Sequence, residues 1–118
     1  MPTEYLLGTD GPTQLDVKRA VVNHGSSGDN TIVAAVTGKK LRVLSGYVHA
    51  AGAVLVRFES GAGGTALTGQ MSLAANAGVD LPYDPLGHFE TAAGQLLNLE
   101  LGSGVNVSGW INYIEVGP

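Results

Sequence analysis

Three histidines, His24, His49 and His88, are the first side chains able to carry catalysis or bind a metal. A hydrolytic zinc centre takes three or more N, O or S ligands, commonly two of them closely spaced, and the chain has neither HxH nor HExxH. Read singly, these histidines are loop or rim residues hydrogen-bonded locally. Asp80, Asp84 and Glu90 flank the proline turn Pro82-Tyr83-Asp84-Pro85. Carboxylates and loop carbonyls suit calcium, but this spacing fits no calcium loop, and acids in turns commonly cap the backbone. Glu59 and Glu100 lie on strand-like segments and can face each other. Paired acids that hydrolyse sugars stand roughly 5–9 Å apart across a groove, whereas exposed strand acids face each other without any such role. No serine lies in GxSxG, and neither His24 nor His88 has a marked serine partner. The loop Asn23-His24-Gly25-Ser26-Ser27-Gly28-Asp29 has the small residues of a phosphate loop, without its Lys-Ser/Thr ending or a following helix. Asn106-Val107-Ser108 matches a glycosylation triplet, which carries weight only behind a secretory signal. No catalytic residues, cofactor or metal are therefore assigned, and the chain is expected not to be an enzyme.

The elements that would position any such residues read as strands. Asp16 to Val22, Asn30 to Val36, Lys39 to Ala50 and Ala53 to Glu59 follow one another, the last with Val54, Val56 and Phe58 on one face and Leu55, Arg57 and Glu59 on the other. Along Lys39 to Ala50, strict alternation puts Leu41, Val43, Ser45, Tyr47 and His49 together. The second half of that run is apolar on both faces, which suggests cover on both sides there. The short Ala51-Gly52 link makes this strand and the next a hairpin. Thr65 to Leu73 is extended with a break at Gly69; a helix over Met71 to Ala77 competes, but Asn76 and Gly78 stop it within two turns. Gly78 to Leu81, His88 to Thr91 and Gln95 to Leu101 are further strands. Gly102-Ser103-Gly104 forms a hairpin-like connection to the last strand, Val105 to Val116. That strand places Asn106, Ser108, Trp110, Asn112 and Ile114 on one semi-polar face, so Trp110 covers an edge or lies at an interface. Residues 1–15 form an irregular N-terminal arm ahead of a single domain over 16–118.

Eight or nine short strands separated by Gly-rich turns specify an all-β sandwich, with a small β-barrel as the alternative. The chain has 118 residues, 44% of them apolar, enough for one core. Charged residues are 14%, below the roughly 25% usual for soluble domains, which leaves a neutral surface that neighbouring subunits can cover. Six Lys and Arg against ten Asp and Glu argue against nucleic-acid binding. No apolar run reaches the roughly 20 residues of a membrane helix, so no membrane partner is expected. Met1 to Leu7 has no basic region followed by an apolar run, so no signal peptide is expected. Cysteine is absent, which removes disulfides and thiolate metal sites.

Three segments carry a resemblance: Asn30-Thr31-Ile32-Val33-Ala34-Ala35-Val36, Gly38-Lys39-Lys40-Leu41-Arg42-Val43, and Phe89-Glu90-Thr91-Ala92-Ala93-Gly94-Gln95-Leu96-Leu97-Asn98-Leu99. From about Asn23 to Val116 the chain resembles small tailed-bacteriophage virion structural proteins of the head decoration or cement kind. That resemblance implies a jelly-roll-like sandwich, commonly trimeric, on the outer surface of the capsid, with the major capsid protein as partner. It brings no catalytic residues. Tyr5, Leu6 and Leu7 in the arm, with Trp110 and Tyr47, are the interface candidates, core packing being the alternative for both aromatics. A carbohydrate- or receptor-binding module of a phage tail or fibre is the second reading, with Trp110, Tyr83 or Tyr113 as its stacking platform.

Overall fold

The computed structural model describes residues 15–117, and Tyr5, Leu6 and Leu7 lie outside them. Ten strands follow in chain order: β1 (Lys18–His24), β2 (Gly28–Val33), β3 (Lys40–Ala50), β4 (Val54–Ser60), β5 (Thr65–Ala66), β6 (Met71–Leu73), β7 (Gly78–Leu81), β8 (Phe89–Glu90), β9 (Leu97–Leu101) and β10 (Val107–Val116). There is no helix among the described residues, so the extended reading of Met71 to Ala77 holds over the helical one. The front sheet runs β1-β10-β3, with β7 and β8 side by side on the far edge of β3; the back sheet runs β2-β9-β4, with β5 and β6 on the far edge of β4. Every pairing is antiparallel.

Nested partners explain the winding. β1 pairs with β10 and β2 with β9; β3 then pairs with β7 and β8, and β4 with β5 and β6. The chain is a ribbon doubled back on itself and wrapped, and the contacts of β10 with β3 and of β9 with β4 close the wrap. This is jelly-roll topology in a two-sheet sandwich, and the barrel alternative is set aside.

Two expected hairpins do not form. β3 and β4 lie in different sheets, as do β9 and β10, so the links at residues 51–53 and 102–106 are arches from one sheet to the other. Each sheet's ladder runs one rung into these links, from Ala51 N to Asn106 O (2.9 Å) beyond β3 and β10 and from Gly102 N to Leu55 O (2.8 Å) beyond β9 and β4. β2 also starts earlier and ends sooner than expected, leaving only residues 25–27 as its loop from β1.

Strict alternation fails in the middle of β3. Ser45 pairs with Asn112 but Val43 pairs with Tyr113, so Leu44 is one residue too many against β10. This bulge reverses the faces. Leu41 and Val43 point inward before it, and Gly46, Val48 and Ala50 point inward after it, all buried; Ser45, Tyr47 and His49 face outward. The doubly apolar half of β3 is therefore a change of parity, and its surplus Leu44 joins Ile114, Val116 and Leu15 in a small second cluster.

The main core lies between the sheets, built from Leu41, Val43, Val48 and Ile111 in front and Val56, Phe58, Leu97 and Leu99 behind, each fully buried. Phe58 and Phe89 stack at 5.1 Å and account for the bulk that Val and Leu cannot fill. Tyr113, expected as a possible platform, is in this core.

Candidate functional site: the outer face of the front sheet

Register sets three rows of side chains on the outer face of β1, β10 and β3. The middle row is Val21, Trp110, Tyr47 and Asp80; one neighbouring row is Arg19, Asn112 and Ser45, and the other Asn23, Ser108 and His49. Rows on one face are about 6.6–6.8 Å apart and strands about 4.8 Å apart, so the middle row is an apolar strip roughly 10 Å long from Val21 to Tyr47. Val21 is 72% exposed and Trp110 40% exposed. The Trp110 and Tyr47 rings meet at 5.8 Å with planes 41° apart, a directly opposed cross-strand pair. Tyr47 leans over Gly78, where a Cβ would sit 2.6 Å from its Cζ. Gly109, one residue before Trp110, has φ +147°, and a Cβ there would run into the carbonyl of Tyr47. The aromatic pair is thus seated by two missing side chains.

The flanking row is held by its own bonds. Arg19 Nε donates to Asn112 Oδ1 (3.1 Å), and Asn112 Nδ2 donates to Ser45 Oγ (3.0 Å). Of the six cationic side chains, Lys18, Lys40, Arg42 and Arg57 form ion pairs, which leaves Lys39 and the exposed Arg19 without one among the described residues. Sequence reasoning reached Trp110, Tyr47 and the polar residues beside them in β10, but missed Val21 and Arg19. Their place depends on how β1 registers with β10, for which the sequence has no local sign.

The back sheet has the opposite character. Arg57 Nη2 bonds both Glu59 Oε2 and Glu100 Oε1 at 2.5 Å, and Arg57 Nε adds a 2.9 Å bond to Glu59. Asn98 Nδ2 bridges Glu59 Oε1 (2.8 Å) and Asp29 Oδ1 (2.9 Å), and the Gly63 amide donates to that same Asp29 oxygen (3.1 Å). Glu59 and Asn98 are fully buried although they point away from the core. Glu59 and Glu100 do come together, as the sequence allowed, but with an arginine between them where a glycosidase pair leaves room for sugar. Burial pushes the Glu59 carboxyl up; bonds from Arg57, with Glu100 and Asn98, outweigh it and hold the group below the usual carboxylate range.

The remaining candidates do not converge. Asp80 stands at the end of the aromatic row, Asp84 Oδ1 accepts from the Leu86 amide (2.9 Å), and Glu90 pairs with Arg42 (2.8 Å) and Lys40 (3.7 Å). His88 Nε2 donates to the Pro82 carbonyl (2.5 Å). Among the described residues no three His, Cys, Asp or Glu side chains gather as metal ligands. Tyr83 is 57% exposed on the turn after β7.

No protein-family model matches this chain, and no curated protein matches it. Its fold is similar to that of a solved chain described as "Bacillus endospore appendages form a novel family of disulfide-linked pili", with a TM-score of 0.55 over 93% of this chain and 94% of that one. The two are 14% identical, so the likeness is one of fold.

Proposed function

We propose that this chain is a non-catalytic structural subunit that works by contact: a homo-oligomeric decoration or cement protein on the outer surface of a tailed-phage head, expected as a trimer bound to the major capsid protein. The observation behind this reading is the pair of long open edges. Among the described residues β1 pairs only with β10 and β2 only with β9, over seven and six residues, and the two edges adjoin on one side of the sandwich. The opposite edges are broken into strands of two to four residues. Long unpaired edges offer rows of N–H and C=O groups to another chain, and short broken ones do not. Binding only the assembled shell would stabilise it by linkage, and several copies on a symmetry axis would multiply a modest affinity. The fold-level neighbour is described as a component of disulfide-linked pili. Assembly of the present chain would not be disulfide-linked, since it has no cysteine.

Solution mass by light scattering and co-sedimentation with assembled tailed-phage heads test this reading. A homo-oligomer that pellets with heads is expected, and a monomer that stays in the supernatant refutes it.

The exposure of Trp110 favours a second reading, a carbohydrate-binding module. The Val21–Trp110–Tyr47 strip covers roughly 100 Å² or less, against about 800 Å² per partner in a stable protein interface. A strip of that size suits one or two sugar rings better than it suits the core of a subunit contact.

A further inference from the structure

We propose that the outer face of the front sheet binds a saccharide ending in a hexuronic acid, its ring on Trp110 and its carboxylate on Arg19. This inference rests on the carbohydrate-binding reading and names the class of sugar.

Three observations on the face lead to it. The first is the platform: a half-exposed indole flanked by Val21 and Tyr47, which presents a flat apolar surface to the C–H face of a pyranose. The second is Arg19. It is exposed, has no ion pair among the described residues, and is fixed through Nε on Asn112 Oδ1, so the guanidinium lies over β10 one row from Trp110 and, among those residues, its two terminal nitrogens remain for a ligand. Cross-strand diagonal neighbours on one face are about 7–8 Å apart, within the reach of a long side chain. In a hexuronic acid the carboxylate projects from the rim of the ring, close to its mean plane. A ring lying flat on the indole therefore directs that group sideways along the sheet, toward Arg19, where a planar fork of donors matches it.

The third is polarity along the face. Asp80 is exposed at the Tyr47 end of the middle row, diagonally across from Arg19. A carboxylate there repels the acid group of a ligand and accepts hydrogen bonds from ring hydroxyls, so only one orientation satisfies both ends. The remaining flanking groups, Asn23, Ser108, His49 and Ser45, are hydrogen-bonding side chains of the type that hydroxyls need. Lys40 and Arg42, further along β3, are taken up by Glu90, so among the described residues Arg19 is the cation this face offers; with a net charge of -4 on the chain, the fit is to a single acidic residue on a neutral sugar, and a polyanion is disfavoured.

The chain has a single tryptophan, so its fluorescence reports this site directly. The test titrates the full chain with cellobiouronic acid, with its methyl ester and with cellobiose. Cellobiouronic acid is expected to give a saturable change in Trp110 emission at least tenfold tighter than either neutral sugar, and raised salt is expected to weaken it alone. Arg19→Gln should remove that preference, bringing cellobiouronic acid and its methyl ester to the same affinity; calorimetry should find no binding to Trp110→Ala. Equal affinity for the three sugars overturns the uronate inference and leaves the carbohydrate-binding reading standing. No saturable response to any of them refutes both. Binding that survives in Trp110→Ala, with the circular dichroism of the variant unchanged, also overturns the assignment to this face.

Discussion

Gly109 is where the aromatic face is most sensitive to a single atom. Its φ of +147° lies in a region where side chains are strained, and a Cβ built there meets the Tyr47 carbonyl, comes within 2.8 Å of the Tyr47 carbonyl carbon, and lies 3.0 Å from Val48 Cα. All three are backbone atoms of β3, so no rotamer change relieves the overlap. Gly109→Ala must either push β3 away from β10 or rotate its own peptide out of the ladder. Gly94 supplies the control, because its φ is +75° and a Cβ there meets nothing within 4 Å. Gly94→Ala therefore carries backbone strain alone, about 1–2 kcal/mol. Gly109→Ala carries that strain plus the loosening of two or three ladder hydrogen bonds at about 0.5–1.5 kcal/mol each, for a total of about 3–5 kcal/mol.

Urea unfolding followed by Trp110 emission measures both variants, and for Gly109→Ala the native emission should also shift, since the displaced peptide leads into Trp110. A loss of 3 kcal/mol is a large share of the roughly 5–15 kcal/mol that holds a domain together, so a partly unfolded variant at room temperature is an accepted outcome. The reasoning fails if Gly109→Ala costs within about 0.5 kcal/mol of Gly94→Ala, because the clash would then be absorbed without cost.

Two further perturbations probe the core and the back sheet. Thr91 Oγ1 accepts from the Leu41 amide at 3.0 Å in a buried setting, so Thr91→Val should cost about 1–3 kcal/mol in urea unfolding, while Thr91→Ser recovers most of it. The Glu59 carboxyl is held below its ordinary value of 4.5, so its contribution to stability is complete above that pH and is lost as pH falls through the lower folded value. Thermal melts between pH 6 and pH 3 should show Glu59→Gln with a shallower acid limb than the parent, and identical slopes would contradict the ionised, arginine-bound state of Glu59.

Strand positions were largely legible in the sequence, and partnership was not. Gly78 to Leu81 is β7 as read, and the alternation of Val54, Val56 and Phe58 against Leu55 and Arg57 is that of β4. Such patterns report which face of a strand is buried, but not which strand lies beside it. The link at Ala51-Gly52 was read as a hairpin because short links usually are, and in this winding the short links at 51–53 and 102–106 are arches. The bulge at Leu44 did leave a trace, in the run that turns apolar on both faces. It was read as cover from outside, whereas the residue count against β10 had changed. The burial of Glu59 and Asn98 left no trace, because both occupy outward positions and are covered by groups brought from β2 and from the 61–64 turn.

The two outer faces differ in what they leave for a partner. The back face spends its charges internally: Arg57 bonds Glu59 and Glu100, and Asn98 links Glu59 to Asp29, which leaves little there for a partner to pair with. The front face holds Arg19 on a neutral partner, Asn112, with no ion pair among the described residues, and keeps Trp110 exposed. β1 carries Arg19 and Val21 on that face and is also the open edge of the sheet. A second copy added along this edge would therefore extend the face without covering it, since edge pairing uses backbone groups in the plane of the sheet and leaves side chains above it free. Under the two readings proposed above, assembly and sugar binding would reinforce each other. Each added copy would bring another Trp110 platform, and a weak single-site affinity would become a strong one wherever the saccharide surface repeats on a matching spacing.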